Sequence, residues 1–214
     1  MSSSPDARER VLGKVRHAKG GALDVAASYA GLKRNYVRAG RLGAKDRIEL
    51  MIERLREYDA EVVETTPEEL PAAIATQLAA SRRRVFVAPD GLPSEWLAHG
   101  FDWKIDGGLA TAEIEKTEGV VTAASCGVAD SGTIVLHHSP AEGRRVITLL
   151  PDWHLCILRT SQVVETFPEY VDRCSKPPVL ATYISGPSAT ADIEMTRIKG
   201  VHGPRFLNVI MVRD

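Results

Sequence analysis

From Ala60 onward the chain alternates short apolar runs with segments whose apolar residues recur at three- and four-residue spacing, and no other feature constrains the fold as tightly. Glu61-Val-Val-Glu64 is a short strand candidate. Thr66 can cap a helix that opens at Pro67 and turns Leu70, Ile74 and Leu78 inward, and Val85-Phe-Val-Ala88 is a second strand. This is a βαβ unit. Pro93 to His99 gives a short helix, and Phe101-Asp-Trp-Lys-Ile105 alternates like an edge strand. The rhythm predicts an α/β fold with a doubly wound, mostly parallel sheet, whose ligands lie beyond the carboxyl ends of the strands.

Downstream lie two small-residue apolar stretches, Gly119–Ser125 and Gly127–Leu136, the second with Asp130-Ser131-Gly132-Thr133 set inside it. Those four residues fit either a tight turn or a ligand-facing bulge, where Gly132 lets the backbone approach a substrate and the hydroxyls orient it. Val146–Pro151 and His154–Leu158 are expected as strands, Val163–Arg173 as a helix, Val179–Ile184 as a strand, and Phe206–Val212 as a core strand. Upstream of all this, residues 1–58 are expected to form a helical N-terminal arm and residues 59–214 the α/β domain. Val11, Leu12 and Val15 make one helical stripe; Ile48, Met51, Ile52 and Leu55 make another.

Whole-chain charge removes several classes of partner. With 27 basic and 28 acidic residues the formal net charge is -1, so no broad field attracts nucleic acid. The run Arg82-Arg83-Arg84 reads as a cationic helix end before a strand. No apolar run is long enough for a membrane span and the first residues lack the apolar centre of a signal peptide, so a cytoplasmic location is expected. Three cysteines, Cys126, Cys156 and Cys174, stand at wide spacing, which suits neither a disulfide framework nor an iron-sulfur centre. No bound metal or cofactor is expected in this chain. The patterns GxGxxG and GxxxxGK[ST] are absent.

The densest chemistry lies near the C-terminus. Ser185-Gly-Pro-Ser-Ala-Thr-Ala-Asp-Ile-Glu194 begins as a strand-to-helix turn in which Ser185, Gly186, Ser188 and Thr190 either cap a helix or present hydroxyls and amides to an anion. On a helix Asp192 and Glu194 diverge by about 200°, which disfavours a shared metal and leaves either one as a general base. His202, between Gly200-Val201 and Gly203-Pro204, is a candidate proton donor or substrate ligand. His137 and His138, adjacent at a strand end, point to opposite faces and are expected as surface or turn residues. Cys126 has no neighbour to lower its pKa and is expected as a buried small residue.

Gly127–Leu136, Leu149-Leu-Pro-Asp-Trp-His154, Ser185–Glu194 and Gly200-Val-His-Gly-Pro-Arg205 together resemble the lactate-utilisation (LUD) domain, specifically its LutC/YkgG branch. The resemblance implies a fold of the NagB/RpiA/CoA-transferase type and membership of a system oxidising L-lactate to pyruvate. It further implies partner subunits that carry the iron-sulfur clusters, and it supplies no catalytic list. Two functions are expected from these observations. One is a non-redox component that binds a small organic acid; the other is a stand-alone transferase, isomerase or ligase acting on a phosphorylated or CoA-linked small molecule.

Overall fold

The structure is a computed structural model that describes residues 7–18, 24–174, 176, 178–186 and 203–214. Chain contacts divide it into two compact units, residues 1–36 and 37–214. The first holds two helices, α1 (Ala7–Ala18) and α2 (Val25–Ala30), neither with a buried residue. Asp24 caps α2 by accepting from the Ala26 and Ala27 amides.

The second unit contains α3 (Ala44–Glu57), which moves the boundary from the expected position after Tyr58 to one after Tyr36. The reason lies in its stripe. Met51, Ile52 and Leu55 are buried against Cys156, Leu158, Val209 and Met211, so α3 is a layer of the α/β body and not part of an arm.

Six parallel strands form the main sheet: β1 (Glu61–Thr65), β2 (Val85–Pro89), β3 (Asp102–Asp106), β4 (Gly119–Ala123), β7 (Trp153–Arg159) and β10 (Phe206–Val212), in the order β1-β10-β7-β4-β2-β3. β3 is an edge strand, as its alternation indicates. The period-two rule sorts the central strands between two faces: Trp153, Leu155, Ile157, Ile210 and Val212 join Leu70, Ile74 and Leu78 of α4 (Leu70–Ala80), whereas Cys156, Leu158, Val209 and Met211 face α3.

A second sheet, β8-β5-β6-β9, shares the α3 face. It comprises β5 (Cys126–Val128), β6 (Thr133–Leu136), β8 (Val163–Val164) and β9 (Thr182–Ile184). β5 pairs antiparallel with β6, β6 antiparallel with β9, and β5 parallel with β8. Sequence rhythm alone points to one sheet; the antiparallel hairpin and its partners separate because a short β5–β6 turn cannot make the crossover that a parallel pair needs.

Several elements differ from expectation: the helix expected to open at Pro67 begins at Leu70, and the one expected from Pro93 is a single 3-10 turn over Ser94–Trp96. Val146–Pro151 is not a strand: Arg145–Thr148 forms a 3-10 turn that drops Ile147 among Val87, Ile114 and Val120. The helix expected from Val163 begins later, as α5 (Phe167–Arg173), because Val163 and Val164 are consumed in pairing with β5. Its true start carries a capping box, Thr166 with Glu169. In the segment 179–184 only Thr182–Ile184 pairs as strand.

After β2 the chain steps outward to β3 and then returns to the other side of β2 as β4. Here the winding reverses, so the crevice beyond the carboxyl ends of β2 and β4 is a topological switch point.

Candidate functional site

The Asp130 stretch is a turn. Ala129–Ser131 make a single 3-10 turn closed by Gly132 at φ +63, joining β5 to β6. Only glycine suits this position on two counts, since a Cβ here would also sit 2.6 Å from the Cβ of Arg54. The turn thus packs directly on α3, and the Tyr58 hydroxyl, at the end of that helix, donates to the Gly132 carbonyl at 2.7 Å. Burial pushes the Tyr58 phenol well above its ordinary pKa, so it acts as a fixed neutral donor.

Pairing of β6 with β9 then aligns three hydroxyls. Ile134 faces Ile184, which sets Thr133 beside Ser185: the Oγ1 of Thr133 lies 2.9 Å from the Oγ of Ser185 and 2.7 Å from the Oγ of Ser131. Thr133 is buried, whereas Asp130, Ser131 and Ser185 are exposed, so the ladder runs from core to surface. It opens into a cleft of about 350 Å³ lined by Arg54, Glu57, Tyr58, Asp130, Ser131, Ser185 and Gly186. Arg54 pairs with Glu57 at 2.6 Å on the wall. A guanidinium paired with one carboxylate, two exposed hydroxyls and a second carboxylate line one space and offer both donors and acceptors to a small polar molecule.

The structure therefore brings Asp130, Ser131, Gly132, Thr133, Ser185 and Gly186 to one place. Ser188, Thr190, Asp192, Glu194 and His202 lie outside the described residues. Arg54 and Tyr58 escape sequence reasoning because they come from a helix assigned to the arm.

A second polar cluster covers the switch point. Ala123, ending β4, donates its amide to the Ala141 carbonyl at 3.0 Å, and the loop 137–143 folds across the crevice. Glu142 lies beneath it, 1% exposed, accepting from the Ser125 hydroxyl at 2.5 Å and from the His137 and Ser139 amides at 2.6 and 3.1 Å. His137 and His138 open this loop at the end of β6, within the surface-or-turn expectation; both are half-buried, His137 bonding to the Tyr170 hydroxyl at 2.9 Å.

Cys126 and Cys156 are packed thiols, pushed up by burial to about 11 and about 12. Their thiolate forms are scarce at neutral pH. Among the described residues no group of three or more His, Cys, Asp or Glu side chains is arranged to hold a metal ion, and no helix is long and apolar enough to cross a membrane.

The fold places a parallel sheet, a hairpin sheet and α3 together over the interval that one known domain spans: the LUD domain matches residues 48–212. The chain belongs to the LUD family. Its match begins within α3, in keeping with that helix being part of the body. Among LUD relatives, lactate utilization protein C of Deinococcus radiodurans is 39% identical over 167 residues, 75% of this chain and 76% of that protein. Lactate utilization protein C of Bacillus subtilis is 34% identical over 134 residues, 58% of this chain and 55% of its own length. Escherichia coli YkgG is 36% identical over 110 residues, 48% and 47% respectively. A crystal structure of a DUF162 family protein from Deinococcus radiodurans superposes with a TM-score of 0.70 at 34% identity, covering 80% of this chain and 99% of that one. The LutC/YkgG resemblance and the α/β class are thereby established for this LUD chain.

Proposed function

We propose that this chain serves lactate utilisation in the cytoplasm as a component that holds a small hydroxy- or keto-acid while electrons pass through iron-sulfur clusters on partner subunits. Support for the lactate part comes from relatives named lactate utilization protein C. Support for the acid comes from one observation, the cleft in which Arg54, Ser131 and Ser185 face Asp130. Arg54 and the two hydroxyls donate to the carboxylate of the acid. Asp130 accepts from its 2-hydroxyl, the proton that must leave when lactate becomes pyruvate. The chain itself carries no redox centre in this scheme, and its two packed thiols stay out of the chemistry.

Two measurements test it. Calorimetric titration with L-lactate and pyruvate is expected to give binding that Arg54→Gln weakens about tenfold, the worth of one charge-assisted hydrogen bond. Dye-linked lactate oxidation is expected only when cluster-bearing partner subunits are added to the pure chain. Turnover by the chain alone, or acid binding indifferent to Arg54→Gln, overturns the proposal.

A further inference from the structure

At the opposite end of the β6–β9 ladder from Ser185, Thr182 lies across from Leu136. Three residue steps of extended chain separate the two positions by about 10 Å. The Thr182 hydroxyl is 2.8 Å from His138 Nε2, and His138 Nδ1 is 2.8 Å from the Gly143 carbonyl. A carbonyl only accepts, so Nδ1 carries a proton, and in the neutral form of the ring Nε2 is then bare and can accept from the Thr182 O–H. Arg145 donates to the same hydroxyl oxygen at 3.1 Å.

The backbone supports this arrangement at a cost. His138 has φ +57, a left-handed conformation that non-glycine residues seldom adopt. It is held because the amides on either side, those of His137 and Ser139, are both fixed by the buried Glu142 carboxylate, while the Glu142 and Gly143 amides both return to the Ser139 carbonyl at 2.9 Å. Strain of this kind persists where the surroundings over-determine it. The loop stands on the switch point between β2 and β4; His138 and Thr182 are half-buried and Arg145 is exposed.

From this geometry we infer that Thr182 is a nucleophile for acyl transfer, with His138 as its base, the Gly143 carbonyl as the group that orients the base, and Arg145 selecting acyl groups that bear a carboxylate. The arrangement meets the requirement of a hydroxyl within hydrogen-bond reach of a base that a third group holds in one tautomer. Thr182 Oγ1 attacks the carbonyl carbon of a small ester and its proton passes to His138 Nε2. As the Oγ1–carbon bond forms and the carbon–oxygen bond to the leaving alcohol breaks, His138 returns that proton to the alcohol. Water, deprotonated by the same Nε2, then releases the acid and restores the threonine. Arg145 lies close enough to Oγ1 to donate to the developing oxyanion as well. The inference uses no residue of the hydroxyl cleft and stands apart from the lactate assignment.

The full chain, incubated with 4-nitrophenyl acetate and with the mono-4-nitrophenyl ester of succinic acid, is expected to release nitrophenolate in a burst and to gain one acyl group, mapped by peptide mass spectrometry to Thr182. Thr182→Val should carry no adduct at this peptide, Thr182→Ser should restore it, and His138→Asn should slow acylation about 100-fold, the contribution of a general base. Asparagine tolerates the left-handed backbone, so that variant keeps the loop. Arg145→Gln should slow the succinyl ester more than the acetyl ester. An adduct mapped elsewhere, no adduct, or wild-type acylation by His138→Asn overturns the inference; peptide mapping of the unaltered chain decides it even if a variant fails to fold.

Discussion

The two sheets of the α/β body use the same short strands to different ends. In the six-stranded sheet, Phe86 of β2, Gly119 of β4 and Trp153 of β7 lie in register, and the missing side chain of Gly119 lets the two rings meet at 5.7 Å, with Phe101 and Trp103 closing on Phe86 at 5.5 and 5.6 Å. The central strands of this sheet are buried on both faces. The four-stranded sheet buries both faces of β5 and β6, one toward α3 and the other around Tyr170, but along its margins it carries Ser131, Thr133, Thr182 and Ser185, each bonded to another polar side chain. One sheet stores the stability, and the other displays chemistry on a hairpin that the first holds still. Truncation of the first sheet's aromatic cluster should therefore destabilise the molecule most, whereas truncation of the second sheet's margin hydroxyls should leave it folded and change what it binds.

Phe86→Ala is the most severe way to test that division. Phe86 is fully buried, and its removal should cost about 4 kcal/mol in urea denaturation. A loss below about 1 kcal/mol would mean that the ring cluster is not what stabilises this sheet.

The next effect exploits the one histidine inside the main sheet. His154 is 1% exposed, bonded through Nε2 to the Thr122 hydroxyl at 2.8 Å, and desolvation pushes its pKa down to about 4 from 6.5. Between those values the unfolded chain binds a proton that the folded chain refuses. Stability is therefore complete above pH 6.5 and drains as the pH falls toward 4. At 1.36 kcal/mol per unit the loss is about 3 kcal/mol. Asp106, held below the usual carboxylate range by its hydrogen bonds from Arg144, loses its share at lower pH still. His154→Asn should flatten the upper part of the profile alone; an unchanged slope there would assign the acid sensitivity to carboxylates.

How legible these sheets were follows from the same contrast. β2, β7 and β10 stand out in the sequence because burial on both faces leaves apolar runs, and α4 stands out by its spacing. Val146–Pro151 is as apolar as a strand, yet Arg145–Thr148 coils so that Ile147 alone fills a gap, and composition cannot report that. The hydroxyls of the cleft were visible as an Asp-Ser-Gly-Thr turn and a Ser-Gly corner. Their cation and phenol were not, since Tyr58 reaches Gly132 across 74 residues of sequence. His138 was the hardest to see: beside His137 it resembles an ordinary turn residue, and only the β6–β9 pairing brings Thr182 to its ring.

Within the hairpin sheet the two smaller effects sharpen the contrast by separating fold from binding. Thr133→Val preserves the buried shape but leaves Ser131 and Ser185 without their shared partner, and should cost about 1 kcal/mol. Ser185→Ala is the mildest for the fold. Its hydroxyl is exposed, so water replaces the lost bond to Thr133 and denaturation should shift by no more than about 0.5 kcal/mol. Acid binding should nonetheless weaken about tenfold, because in the occupied cleft that hydroxyl faces a carboxylate and no water takes its place. The ratio of the two changes is the informative quantity. If Ser185→Ala lowers stability and affinity in equal measure, the hydroxyl ladder is a strut of the hairpin, and the separation between a sheet that stabilises and a sheet that binds fails at this position.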